Sequence, residues 1–161
     1  MRALEVGSFE GKGAIGLATL LGSQAEIVCL DPFKEYEGND LYGKLSAAEK
    51  RFCQNIAVSP VGQRITHYKV GLDEFRHRGD FDIIYVDGSH IARDVIADAR
   101  AADKILKPGG MLIFDDYGWA VNPSPMMQPR TAIDFFIKSY RDRYELIEQD
   151  FRVFLRKNET V

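Results

Sequence analysis

The sequence predicts an α/β protein built on a doubly wound, mostly parallel sheet that ends in an antiparallel hairpin. Three observations predict it. Short apolar runs alternate with stretches of helical spacing along most of the chain. A glycine-broken turn, Gly7 to Gly13, joins the first apolar run directly to an apolar helical one. The last two strand-like runs, Tyr144–Gln149 and Arg152–Arg156, are joined by almost nothing. Only an antiparallel hairpin can use so short a connection, because a parallel crossover needs about a dozen residues or more.

The elements follow in order. Ala3, Leu4 and Val6 mark the first strand, and Ala14 to Leu21 the first helix. Between them, Gly7 and Gly11 let the chain bend sharply and let a ligand approach the backbone. Strand, tight turn and helix together set free backbone N–H groups at a helix start. Ala25–Leu30 is the second strand, ended by Asp31-Pro32. Phe33–Lys44 is polar and glycine-bearing, a loop. Ser46-Ala47-Ala48-Glu49 is a capping-box pattern, predicting a helix to about Ala57. Arg64–Val70 is the third strand, punctuated by Gly71, and Leu72–His77 one short helix. Phe81–Val86 is the fourth strand, ending in Asp87-Gly88-Ser89-His90. Ile91, Val95, Ile96, Ala99, Ala102, Ile105 and Leu106 recur at helical spacing, and Pro108-Gly109-Gly110 stops that helix. Met111–Phe114 is the fifth strand, ending in Asp115-Asp116. Asn122–Pro129 is a proline-rich loop, after which Ile133, Phe136, Ile137 and Tyr140 mark a last helix.

The 161 residues suffice for one domain with one core, residues 1–161. Composition is ordinary for a globular protein, 45% apolar and 28% charged. A net charge of -3 argues against a broad phosphate-binding surface, so nucleic acid is not an expected partner. Cys29 and Cys53 fall in a strand and a helix pattern and read as small buried apolar residues. Without a disulfide framework or a signal peptide, the expected compartment is the reducing cytoplasm. No apolar run is long enough to span a membrane, and no membrane partner is expected.

In open parallel sheets, ligands sit outside the carboxyl ends of the strands. Glu5, Asp31, Asp87 and Asp115-Asp116 are the carboxylates at four of the five such ends. Like charges gathered there need cations or hydroxyl donors. Glu5, at the end of an apolar strand, either points at solvent or meets a positive charge. Asp31 either accepts hydrogen bonds from a ribose diol or caps a turn. Asp115 and Asp116 either gather with Asp87 around a hard divalent ion or form a solvated turn. His90 either takes a proton as general base or packs at the start of the long helix. His67, within a strand, and His77, at a loop edge, read as structural. The spacing Glu5-x-Gly7-x-x-x-Gly11 does not fit the dinucleotide fingerprint, which disfavours a nicotinamide-dependent oxidoreductase.

Three stretches, Leu4–Gly13, Phe81–His90 and Leu106–Trp119, resemble in order and spacing the class I S-adenosylmethionine-dependent methyltransferases, in particular the small-molecule family labelled methyltransferase domain 24. The resemblance runs from Leu4 to about Trp119 and implies a Rossmann-like fold of class I topology, with which the terminal hairpin is consistent. It implies that Glu5, Gly7, Ser8, Phe9 and Gly11 hold the methionine part of the cofactor. Asp31 and Pro32 would hold the ribose, the Gly71 region would line the adenine, and Asp87 and Gly88 would complete the site. The sulfonium is a permanent cation, which gives Glu5 and Asp87 a physical reason to be there. The family is similar to the catechol-type methyltransferases. That similarity implies a divalent metal such as Mg2+ on Asp87, Asp115 and Asp116, orienting a substrate hydroxyl and lowering its pKa. His90 would then be the general base, with Asp87 beside it.

The implied reaction is O-methylation of a small molecule or sugar. Family members commonly carry helices before the first strand that cover the substrate, whereas this chain begins at that strand. The cover is therefore expected from the loops Phe33–Lys44 and Tyr117–Pro129, or from a second subunit of a homodimer. Tyr117, Trp119, Met126 and Met127 either form an adaptable apolar wall for the substrate or pack locally. Asn122-Pro123-Ser124-Pro125 resembles the Asn-Pro-Pro-aromatic motif of amino-methylating nucleic-acid enzymes but lacks the second adjacent proline and the aromatic, and reads as a restricted loop. The missing cover also motivates an alternative, an S-adenosylmethionine-binding module without its own catalysis.

Overall fold

A computed structural model describes residues 1–34, 45–76, 80–119 and 124–159. The chain runs β1 (Arg2–Val6), α1 (Lys12–Leu20), β2 (Glu26–Leu30), α2 (Leu45–Val58), β3 (Ile65–Tyr68), β4 (Phe81–Val86), α3 (Ala92–Ile105), β5 (Leu106–Phe114), α4 (Pro129–Ser139), β6 (Tyr144–Gln149) and β7 (Val153–Lys157). One seven-stranded sheet has the order β3-β2-β1-β4-β5-β7-β6. β1 to β5 pair in parallel, and β7 lies antiparallel to both β5 and β6. The predicted mostly parallel sheet with a terminal hairpin is the fold observed.

Register makes the rim. Val6 lies opposite both Leu30 and Val86, and Val86 lies opposite Phe114. The next residue of each strand, Gly7, Asp31, Asp87 and Asp115, therefore falls in one row at the carboxyl edge. Backbone bonds stitch that row: Gly7 N–H donates to Leu30 O (2.8 Å), Asp87 N–H to Val6 O (2.8 Å) and Asp115 N–H to Val86 O (3.0 Å).

Both sheet faces are covered, so the central strands are apolar on both sides. Leu4, Val6, Ile84, Leu112 and Phe114 pack with Val95, Ala99, Ile133 and Phe136 of α3 and α4. Ala3, Ile27 and Cys29 pack with Ala14, Ala18 and Phe52 of α1 and α2. Side chains alternate along a strand, so Glu5 lies on the α1 side with Ala3.

Several expectations are corrected. Leu72–His77 is not a helix: residues 72–74 form a turn, 75–76 are irregular, and His77 lies outside the described residues. Leu72 is buried and Phe75 packs edge-on to Tyr68, which anchors the segment on two side chains before a helical nucleus can form. Pro108-Gly109-Gly110 does not separate helix from strand. α3 ends earlier, and these residues lie inside β5, where the register with β4 shifts. Gly109, at φ +74°, absorbs that irregularity. The last helix begins at Pro129, a proline in its first turn where no N–H is needed. Cys29 is buried as expected, but Cys53 is exposed on α2. Most of Phe33–Lys44 (residues 35–44) and part of Tyr117–Pro129, including Asn122 and Pro123, lie outside the described residues. No helix among the described residues is long and apolar enough to cross a membrane.

The hairpin is tied to α3 by a buried ionic knot. Lys157 Nζ donates to Asp103 O (2.6 Å) and Leu106 O (2.9 Å). The Asp103 carboxylate accepts from Tyr144 Oη (2.9 Å) and pairs with Arg143 (2.9 Å). Lys157→Met strands two carbonyls while Asp103 keeps its other partners. It is expected to lower stability by about 1–3 kcal/mol, read from chemical denaturation midpoints.

Candidate active site

The turn after β1 is held open by three left-handed residues, Gly7 (φ +87°), Phe9 (φ +43°) and Gly11 (φ +85°). Its backbone is gathered by Asp31. Asp31 Oδ2 accepts from Ser8 N–H (3.0 Å) and Phe9 N–H (2.8 Å), and Oδ1 accepts from Phe33 N–H (2.7 Å). The turn-capping role of Asp31 is thus realised, and each oxygen keeps further acceptor capacity toward the cleft. A Cβ on Gly7 would stand closer than 3.0 Å to the Asp87 carbonyl and Gly88 Cα. Gly13 is a site residue that sequence reasoning missed: a Cβ there would meet Glu5 Oε1 within 3.0 Å. The signal was in the motif itself, a third glycine two residues after Gly11.

Glu5 is 1% exposed. Burial pushes its carboxyl from an ordinary 4.5 up to about 7, with Ser8 and Cys29 opposing the shift and Asp31 adding to it. Glu5 Oε2 and Ser8 Oγ have no hydrogen-bond partner among the described residues. Such orphaned groups are rare in native proteins and call for a ligand, an ion or a water. The pH consequence has a definite sign. Because the folded value exceeds the unfolded one, Glu5 contributes stability fully present below 4.5 and lost as pH rises through about 7. Glu5→Gln is expected to flatten this part of the stability–pH curve, measured by denaturation at a series of pH values. An unchanged curve would contradict the buried-carboxyl account.

A cleft of about 360 Å³ opens above the rim. It brings together seven of the expected residues: Gly7, Phe9, Asp31, Pro32, Gly71, Asp87 and Gly88. Glu5, Ser8 and Gly11 do not line it; the first two lie buried beside the turn. Three lining carboxyls were not foreseen: Asp73 beyond β3, and Asp94 and Asp98 on α3. Asp94 and Asp98 sit within an amphipathic helical pattern, where acidic residues read as a solvated face. Asp87 is pushed from 3.8 up to about 8, chiefly by burial and then by Asp115, Asp116 and Glu5, against the pull of His90.

Beyond Asp87, the ends of β4 and β5 form a second cluster. His90 Nε2 lies 2.8 Å from Asp116 Oδ2, and its ring packs against Trp119 at 4.7 Å between centroids. Asp116, itself left-handed at φ +56°, donates its N–H to Asp115 Oδ1 (2.8 Å). Asp115 also accepts from Tyr85 Oη and pairs with Arg152 Nε (3.1 Å). Tyr85 and Arg152 were not foreseen, since they come from β4 and from the turn before β7. Tyr117 does not form an acceptor wall: it is buried, its hydroxyl donates to Asp134 (2.9 Å) and accepts from Gln149 (2.6 Å). Trp119 stands beside His90, and Met126 is exposed.

A family model described as a methyltransferase domain matches residues 4–117. The chain belongs to this family of class I S-adenosylmethionine-dependent methyltransferases. Solved structures share the fold. The O-methyltransferase NovP aligns at TM-score 0.75 and 16% identity, over 98% of this chain and 72% of its own. An O-methyltransferase from Bacillus cereus, in complex with SAH, aligns at TM-score 0.69 and 18% identity, over 98% and 74%. An rRNA methylase from Streptococcus thermophilus aligns at TM-score 0.67 and 12% identity, over 98% and 86%. No curated protein matches the chain by sequence.

The donor groups of this methyltransferase suit one of the two expected groups and not the other. The cofactor fits: an orphaned carboxyl beside the glycine turn, close-packed backbone at Gly7, and an acidic cleft with apolar surface from Val6, Leu30 and Leu72 suit a cationic nucleoside. The divalent metal expected on Asp87, Asp115 and Asp116 does not fit this arrangement. Asp115 is committed to Tyr85 and Arg152, and Asp116 to His90. Among the described residues no three acidic, imidazole or thiol groups converge as metal ligands.

Proposed function

We propose that this methyltransferase places the methyl group of S-adenosylmethionine on a hydroxyl oxygen of a small molecule, with His90 as the base. The observation that carries the assignment is the His90–Asp116 pair, set at the rim next to the cleft. The Asp116 carboxylate beside Nε2 fixes the orientation of the imidazole at the rim. When bound, the cofactor supplies a methyl carbon already activated for in-line displacement by the acceptor oxygen. The protein contributes position and exclusion of water.

Each residue then has a physical task. Glu5, whose buried Oε2 has no hydrogen-bond partner among the described residues, and Ser8 beside it suit the methionine ammonium next to Gly7 and Gly11. Asp31, through its remaining lone pairs, suits the ribose hydroxyls, with Pro32 beside it. Asp87, raised by burial and then by its acidic neighbours, gains from a nearby sulfonium, because an opposite charge favours its ionised form. Gly71 and Gly88 leave room for the base. Asp115, locked by Arg152 and Tyr85, orients the β5 end rather than binding an ion, and no step is assigned to a metal. A net charge of -3 supports a small acceptor over RNA, although an rRNA methylase shares the fold. A reducing cytoplasmic setting agrees with two free cysteines.

Calorimetric titration with S-adenosylhomocysteine tests the cofactor assignment, and absence of binding from micromolar to millimolar concentration would refute it. Labelled-methyl transfer to a panel of phenols, sugars and other hydroxyl compounds tests the rest. Binding without transfer to any acceptor would leave a cofactor-binding module.

A further inference from the structure

His90 is held by a turn to which it does not belong. Its Nε2 lies 2.8 Å from Asp116 Oδ2, and its ring centroid lies 4.7 Å from that of Trp119. Asp116 and Trp119 are the two ends of one turn, closed by the Trp119 N–H donating to Asp116 O (2.9 Å). That turn starts from an unfavourable backbone. Asp116 is left-handed at φ +56°, a conformation that a residue with a side chain keeps only where its surroundings over-determine it.

Those surroundings come from the tip of the β6–β7 hairpin. Arg152 Nε pairs with Asp115 Oδ1 at 3.1 Å, and the same oxygen accepts the Asp116 N–H (2.8 Å). Asp115 Oδ2 accepts from Tyr85 Oη, so the carboxylate is gripped from two strands. One residue before Arg152, the Phe151 ring lies against Gly118, inside the turn. A Cβ on Gly118 would stand within 3.0 Å of that ring, and Gly118 N–H donates to Phe151 O (3.4 Å). The Arg152 side chain is 54% exposed, so its ion pair adds little to global stability. Its effect is local, on the turn.

We propose that Arg152 and Phe151 are positioning residues for His90: by fixing Asp115 and covering Gly118, the hairpin tip holds the turn whose two ends orient the imidazole. This rests on the assignment of His90 as the base and adds to it the remote segment that keeps the base in place. Misplacing a reacting group by about 1 Å can cost about 100-fold in rate, so a contact that never touches the acceptor still enters the chemistry.

Trp119 is the single tryptophan of the chain, so its fluorescence reports on the imidazole beside it. An imidazole in contact quenches indole emission, and His90→Ala should brighten it. Arg152→Gln, which removes the charge from Asp115, should move the emission toward the His90→Ala level. Gly118→Ala, which displaces the Phe151 ring, should do the same without touching any charge. Neither change should appear when His90→Ala is already present. Arg152→Lys should stay near wild type, because the ammonium keeps a positive charge against Asp115. Labelled-methyl transfer to the hydroxyl compounds above should slow by about 10- to 100-fold in Arg152→Gln, with no further loss in the His90→Ala background. S-adenosylhomocysteine affinity should be unchanged. Wild-type emission from both Arg152→Gln and Gly118→Ala would overturn the proposal. So would an equal change of emission in the His90→Ala background, which would place the effect on Trp119 alone. A His90→Ala enzyme of wild-type rate would instead refute the base assignment beneath it.

Discussion

Gly7→Ala is expected to abolish S-adenosylhomocysteine binding and to lower stability by about 2–5 kcal/mol, combining left-handed strain with overpacking. At φ +87° an alanine is strained before any neighbour is considered. Its Cβ would also stand closer than 3.0 Å to the Asp87 carbonyl and to Gly88 Cα, both backbone, so no side chain can turn aside. Relief requires β1 and β4 to separate at their carboxyl ends. That would break the bond from Asp87 N–H to Val6 O, which aligns the rim between β1 and β4. The control is Gly16 in α1, where nothing lies within 4 Å of an added Cβ. Gly16→Ala should stabilise by about 0.5–1 kcal/mol, the ordinary gain of alanine over glycine within a helix. Urea midpoints and calorimetric titration of both variants decide the matter. A Gly7→Ala protein with wild-type midpoint and affinity would show that the rim is not built on that close approach.

His90→Ala is expected to slow methyl transfer by about 100- to 10,000-fold, the usual contribution of a positioned base. S-adenosylhomocysteine affinity should stay near that of wild type. The separation of the two effects follows from place: His90 belongs to the Asp116–Trp119 cluster, whereas the cleft proposed for the cofactor is lined by Gly7, Asp31 and Asp87. Added imidazole should restore part of the lost rate if the missing function is proton acceptance. Asp116→Asn should cost less, because it loosens the ring without removing the base. A His90→Ala enzyme with unchanged rate would remove His90 from the chemistry. Parallel loss of rate and cofactor affinity would make it a packing residue instead.

Much of the rim was legible in the sequence because its information is local. Gly7 and Gly11 announce a turn with positive φ, and the apolar runs before Asp31 and Asp87 end where the strands end. Parallel strands then put those ends on one edge. The reading of Leu72–His77 as a helix failed for a related reason: its spacing fitted one turn of helix, but Leu72 and Phe75 were claimed by the core. The metal expectation counted the carboxylates at the ends of β4 and β5 without their partners. Arg152, which neutralises Asp115, arrives from the turn before β7, far along the chain.

By itself, then, the sequence determined the order of strands and helices, the glycine turn, the acidic strand ends and the closing hairpin. These depend on backbone preference and hydrophobic period within a few neighbouring residues. Only the tertiary structure decided which charges meet. It put Glu5 over Gly13, Asp115 against Tyr85 and Arg152, His90 against Asp116, and Asp98 in the same cavity as Asp73. Such pairings are set by register across the sheet and by where a helix docks, and the strength of each depends on the water excluded around it. Neither quantity is written in any short window of the chain.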